Sequence, residues 1–328
     1  MNFAVPYFYS EGGEWMNSAA EIIIDLVEFK TSTEASLVDF MKSHPNQRII
    51  IFAKDTSEFW MYPVYAQLIR KLKDEYNLKN WAICFNETDT DSIQKTEVLL
   101  MDSGLIKEDD TEIINYFYKS AISSYEQLEW MMEITRVSDI YITSPLIFSI
   151  KDLKEVFEKK YLRKPLIRVY PNVCQGLLMR PSIKTFFIRP EDLALYDDYI
   201  DIAEIYTSNL EQKKKASVYF DIYNKSKTWM GDLKEYLINC EDSINNLYII
   251  KSFGEQRLNC GRKCSRNKCN KCDNQQEYIR LMEQTQEKMS AIKEEGIDTK
   301  NEDDVENIRE YIGETDKEAE YYEECDTD

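Results

Sequence analysis

Asp139-Ile140-Tyr141-Ile142-Thr143, a segment from Ser149 to Lys160, and Leu166-Ile167-Arg168-Val169-Tyr170 together spell one strand–helix–strand unit. The two outer runs are short, apolar and rich in β-branched and aromatic residues, as strands require. Between them Ser149 caps a segment in which Leu153, Val156 and Phe157 recur at helical spacing.

The same alternation extends outward over residues 20–223 and predicts a chain of β-α units. The expected strands are Glu21–Phe29, Arg48–Phe52, Trp81–Phe85, Phe117–Ser123, Asp139–Thr143, Leu166–Tyr170, Thr185–Arg189 and Ile200–Tyr206. Helices open at Thr33-Glu34-Ala35 and Ser124-Tyr125-Glu126-Gln127, and another runs from Met61 to Tyr76 with Tyr65, Leu68, Ile69 and Leu72 on one face. Eight strands is the number that closes a (β/α)8 TIM-like barrel, and that is the expected fold. The short, proline-bearing connection between Arg168 and Thr185 keeps an open doubly wound α/β sheet as the alternative. The expected domains are a barrel over residues 1–225, a helical and four-cysteine module over 226–292, and an acidic tail over 293–328.

Composition narrows the function. No run approaches the length of a membrane helix and the start lacks a signal-peptide pattern, so a soluble, cytoplasmic protein with no membrane partner is expected. The single histidine, His44, sits in the turn Ser43-His44-Pro45-Asn46, which argues against histidine-based triads and a true peptidase. Neither GxxxxGK[ST] nor GxGxxG occurs among the 9 glycines. The net charge is -19, but much of it lies beyond Asp298, an acidic stretch that could serve a protein partner.

Function in a barrel sits at the C-terminal ends of the strands. Glu28, Lys54, Asp55, Asn86, Glu87, Ser144, Asn172, Cys174, Arg189 and Glu204 follow the expected strands and suit a pocket for a polar or anionic ligand.

A second kind of chemistry comes from Cys260, Cys264, Cys269 and Cys272. Four thiolates at this spacing can close around one ion or cluster, and both Zn2+ and a [4Fe-4S] cluster accept four of them. Arg257, Arg262, Lys263, Arg266, Lys268 and Lys271 surround the cysteines. Their charge either offsets the tetrathiolate or contacts the phosphates of RNA.

Thr185-Phe186-Phe187-Ile188-Arg189 leads into Pro190-Glu191-Asp192-Leu193, and Tyr199-Ile200-Asp201 follows. This pattern resembles the core of the peptidase U32-like proteins. Ile142-Thr143-Ser144-Pro145, Val169-Tyr170-Pro171-Asn172-Val173-Cys174 and Gly231-Asp232-Leu233 are similar to further segments of that family. The resemblance implies a (β/α)8-type barrel and iron–sulfur-dependent hydroxylation of RNA or of a small substrate. For an enzyme of that kind the polar strand ends are expected to form a pocket that includes Arg189, Glu191 and Glu204, with Arg189 anchoring an anionic substrate and Glu204 acting as acid or base. The family's cluster cysteines precede the Pro-Glu-Asp-Leu segment, where this chain has Cys174 alone. The alternative is a non-catalytic, zinc-binding scaffold for nucleic acid or a protein partner.

Overall fold

Runs such as Ile49-Ile50-Ile51 offer no polar face to water, so the strands they form must be covered on both sides, as parallel strands are. The computed structural model describes residues 2–6, 19–25, 34–53, 63–107, 114–143, 146–161, 164–174, 187–207, 210–225, 231–240 and 258. The chain divides into two units, one of Met1–Pro171 with Tyr196–Thr207 and the other of Asn172–Leu195 with Ser208–Asp328.

In the first unit the strand segments are β1 (Asn2–Pro6), β2 (Glu21–Asp25), β3 (Arg48–Ala53), β4 (Trp81–Phe85), β5 (Tyr116–Tyr118), β6 (Ala121–Ile122), β7 (Asp139–Ile142), β8 (Leu166–Val169) and β9 (Ile202–Glu204). All pair in parallel, in the order β5-β4-β3-β2-β1-β9-β8-β7-β6. The two edge segments are neighbours in sequence, parted only by Lys119 and Ser120. The first half of this stretch bonds to β4, with Lys119 N donating to Phe85 O at 2.8 Å. Its second half accepts from the chain just past β7, Thr143 N to Ile122 O at 2.9 Å, and Ser138 N reaches back to Tyr116 O at 2.8 Å. The sheet therefore returns on itself as eight crossings in chain order, the topology of a (β/α)8 barrel. An open doubly wound sheet would reverse its strand order at a switch point, and no such reversal exists here.

One of the eight strands differs from expectation. β8 pairs directly with β9, leaving no place between them for Thr185–Arg189, and residues 187–189 are not a strand. The missing crossing is β1, between β9 and β2. Phe187 and Ile188 are apolar because they are buried in the second unit, where Tyr219 Oη donates to Ile188 O at 2.9 Å.

Helices α1 (Glu34–Ser43), α2 (Pro63–Asp74), α3 (Thr90–Asp102), α4 (Tyr125–Ile134) and α5 (Ile150–Lys160) alternate with the strands. Asp89 caps α3 by accepting from Ser92 N at 2.9 Å, and Ser124 caps α4 by accepting from Gln127 N at 3.3 Å. Buried Leu37, Val38, Ile69, Leu72, Ile93, Leu100, Leu128, Leu153 and Phe157 are the apolar stripes of these helices. Full burial of each such side chain contributes about 1.5–3 kcal/mol. On α3, Glu97 is buried and accepts from Tyr116 Oη at 2.9 Å and Tyr118 Oη at 2.7 Å, two outward residues of β5. Among the described residues no helix is long and apolar enough to cross a membrane.

The second unit holds α6 (Leu210–Lys225). A parallel bridge joins Val173 to Ile238, with Cys174 N donating to Ile238 O at 2.9 Å and Ile238 N to Asn172 O at 2.8 Å. Asp232 and Glu235 form a capping box around Leu233–Glu235, which explains the Gly231-Asp232-Leu233 segment as a turn onset.

Candidate active site at the barrel mouth

Side chains alternate along a strand, so every second residue of each crossing points into the barrel. Near the N-terminal ends these are charged: Glu21 begins β2, Arg48 begins β3, Asp139 begins β7, and Arg168 lies on β8. Arg48 grips Asp139 in a fork, Nη1 to Oδ2 at 2.7 Å and Nη2 to Oδ1 at 2.8 Å, and reaches Glu21 Oε1 at 3.0 Å. Arg168 Nη1 lies 2.7 Å from both Asp139 Oδ2 and Glu21 Oε2, and its Nη2 lies 3.0 Å from Glu204 Oε2. Burial alone would raise the Asp139 carboxyl, but hydrogen bonds from Arg48 and the charges of Arg168 and Arg48 hold it below the usual carboxylate value. Burial likewise opposes the charge on Arg168, and Glu21, Tyr141, Glu204 and Asp139 overcome it. Glu21 Oε2 and Arg168 Nε are buried without a hydrogen-bond partner, so it is ion pairing among four strands, and not complete hydrogen bonding, that ties the barrel floor together.

Above the floor an aromatic column begins. The Arg168 guanidinium lies 4.8 Å from the Phe117 ring centre and 5.5 Å from that of Tyr141. Tyr141 Oη donates to Glu204 Oε2, and its ring stacks on Tyr170 at 5.0 Å with 15° between planes. Tyr170 meets Tyr206 edge-on at 5.3 Å. Burial and then the Glu204 charge push both Tyr141 and Tyr170 well above the ordinary phenol value, so each keeps its proton. Burial also pushes the Cys84 thiol up.

Midway along the crossing that closes the barrel and level with the C-terminal end of β4, Lys119 continues the inward row of Phe117. Its Nζ lies 4.7 Å from the ring centre of Phe52, 5.5 Å from Tyr206 and 6.0 Å from Tyr170. These rings come from β3 and from the chain just past β8 and β9, so the ammonium spans the mouth. All four residues are half-buried. Among the described residues Lys119 forms no ion pair with a carboxylate. Asp25, at the end of β2 and the register partner of Phe52, occupies the same end of the barrel.

The residues expected from sequence fall into three groups. Glu204 lies inside the barrel, its carboxylate shared by Arg168 and Tyr141. Arg189 and Glu191 belong to the second unit, where Arg189 is 2% exposed and clasps Asp192 through Nε at 2.5 Å and Nη2 at 2.9 Å, with Glu191 at 4.0 Å. Cys260, Cys264, Cys269 and Cys272 lie outside the described residues, as do Glu28, Lys54, Asp55 and Ser144. Among the described residues no group of three or more His, Cys, Asp or Glu is placed to hold a metal ion. Lys119 itself was hidden inside an expected strand. The signal that could have exposed it is a lone charge at the inward parity of an otherwise apolar and aromatic run, the same signal that marks Arg168.

No protein-family model and no curated protein matches the chain. Among solved structures, the aldose reductase from Schistosoma japonicum aligns over 85% of this chain and 94% of its own, at 11% identity and a TM-score of 0.34. The fold assignment rests on the strand order and hydrogen bonds above.

Proposed function

We propose that this chain is a barrel enzyme whose active site is the mouth around Lys119, and that its substrate is a small anion. The observation that carries the reading is the Lys119 ammonium held among Phe52, Tyr170 and Tyr206 with no carboxylate partner among the described residues. A half-buried cation ringed by apolar surface attracts an anion more strongly than a solvated one, because little water screens it. Beneath it, the phenols of Tyr170 and Tyr141 stand in a fixed row that ends on the Glu204 carboxylate. The direct test is calorimetric titration of the protein with oxalate and with inorganic phosphate. Binding should be lost in Lys119→Met and kept in Lys73→Met, a change at an exposed position of α2. Absence of binding to the parent protein, or equal binding by Lys119→Met, would overturn the reading.

The four-cysteine run supports a second element of the same proposal. Cys260, Cys264, Cys269 and Cys272 would hold one Zn2+ or one [4Fe-4S] cluster, the thiolate set both require. An iron–sulfur centre would supply electron transfer, in keeping with the U32-like resemblance of residues 185–205; zinc would supply a structural clamp. Metal and acid-labile sulfide analysis after anaerobic purification, on the parent and on Cys264→Ser, separates the two. Finding neither metal in the parent would remove this element while leaving the barrel site standing.

A further inference from the structure

We infer that Lys119 is an imine-forming lysine and that the anion it receives is an α-oxo carboxylate. This rests on the reading of the mouth as an anion site and deepens it.

Lysine amines act as covalent catalysts by condensing with carbonyl carbons when they are held in a partly desolvated apolar setting. Lys119 has that setting: three ring centres at 4.7, 5.5 and 6.0 Å, contributed from three different places around the barrel. The cage suits the product as well as it suits the free side chain. An ammonium and a protonated imine each place one positive charge on the same nitrogen, so the attraction of the ring faces is kept through the reaction. The rings cover part of the nitrogen's surroundings and so reduce the directions from which water can reach the C=N bond.

The step balances without any added oxidant or reductant. The ammonium lends one proton to solvent, and the freed lone pair bonds to the carbonyl carbon while the C=O π pair moves to oxygen. A proton passes from nitrogen to that oxygen, giving the carbinolamine. The lent proton then returns to the hydroxyl, the C–O bond breaks with loss of water, and the nitrogen lone pair forms the C=N bond. Ammonium plus carbonyl becomes protonated imine plus water, with charge unchanged.

The carboxylate defines the substrate class. A single cation at the mouth must attract the molecule and also react with it. In an α-oxo acid the carboxylate is one bond from the electrophilic carbon, so the group drawn to Lys119 carries the reacting carbon with it. After condensation the carboxylate remains beside the iminium charge.

The experiment uses glyoxylate with cyanoborohydride on the full-length protein, followed by peptide mass mapping, with oxalate as a non-reacting competitor. Lys119 should be carboxymethylated about tenfold or more faster than exposed Lys73 and Lys107, a modest demand on proximity, and oxalate should suppress the difference. Lys119→Arg keeps the charge and should still bind oxalate while giving no selective adduct. Labelling of Lys119 no faster than of Lys73 and Lys107, with oxalate binding intact, overturns the imine and leaves the anion site. Loss of both selective labelling and oxalate binding in the parent overturns the two together.

Discussion

Arg168 and Glu204 meet inside the barrel at 3.0 Å, on adjacent strands, and through this contact the charged floor is joined to the aromatic column. Arg168 is 0% exposed and touches three carboxylates from three strands, Glu21, Asp139 and Glu204. Replacing it with Met would leave Glu21 and Asp139 with Arg48 as guanidinium partner, and Glu204 with the Tyr141 hydroxyl. Breaking a buried ion network from one side typically costs about 3–5 kcal/mol. Urea denaturation of Arg168→Met should show a loss of that order. A loss under about 1 kcal/mol would mean that the network contributes little to holding the barrel.

Asp139 sets the acid limb of stability. Its folded carboxyl is held below the unfolded value of about 3.9, so the unfolded chain takes up a proton first as the pH falls. The stabilisation is complete above that value and disappears as the pH drops through the folded one. In Asp139→Asn the stability should be lower at neutral pH and its fall below about pH 4 should be shallower. Denaturation midpoints measured from neutral to acid pH decide it.

Glu97 has the opposite sign. Burial lifts its carboxyl above the usual value despite hydrogen bonds from Tyr118 and Tyr116 and the nearby charge of Arg136. The folded state thus binds the proton more tightly, and stability declines as the pH rises through the folded value. Glu97→Gln should remove that decline. A variant whose pH dependence matches the parent's would show that Glu97 ionises without cost.

Cys84 should be inert in the native protein. It is 2% exposed, and burial pushes its thiol up, so thiolate is scarce at ordinary pH. Iodoacetamide at about pH 8 should leave Cys84 unmodified until denaturant is added, as peptide mapping would show. Labelling under native conditions would place the thiol in a more open interior than the packing describes.

The barrel was legible because its strands bury both faces and so read as apolar runs that contrast with the helices between them. β1 escaped because Asn2 and Pro6 flank a core of only Phe3, Ala4 and Val5. Phe187 and Ile188 imitated a strand because burial, whatever surrounds it, selects the same residue types. Glu204 was visible as a polar residue at a strand end, but its partner Arg168 sits in another apolar run. Convergence of Glu21, Arg48, Asp139 and Arg168 depends on the barrel closing, which no local pattern records. Lys119 was concealed for the same reason: the three rings around it are scattered along the chain and become neighbours only across the mouth.

The crossing that closes the barrel pairs with β4 through its first half and with β7 through its second, Ser138 N also reaching Tyr116 O, and Lys119 stands between the two paired runs. Lys119 belongs both to the aromatic cage and to the short segment whose pairing keeps the cylinder shut, so a ligand held at its nitrogen bears on the same few atoms. Amide exchange along residues 116–122 would register this as a change in protection when the mouth is filled.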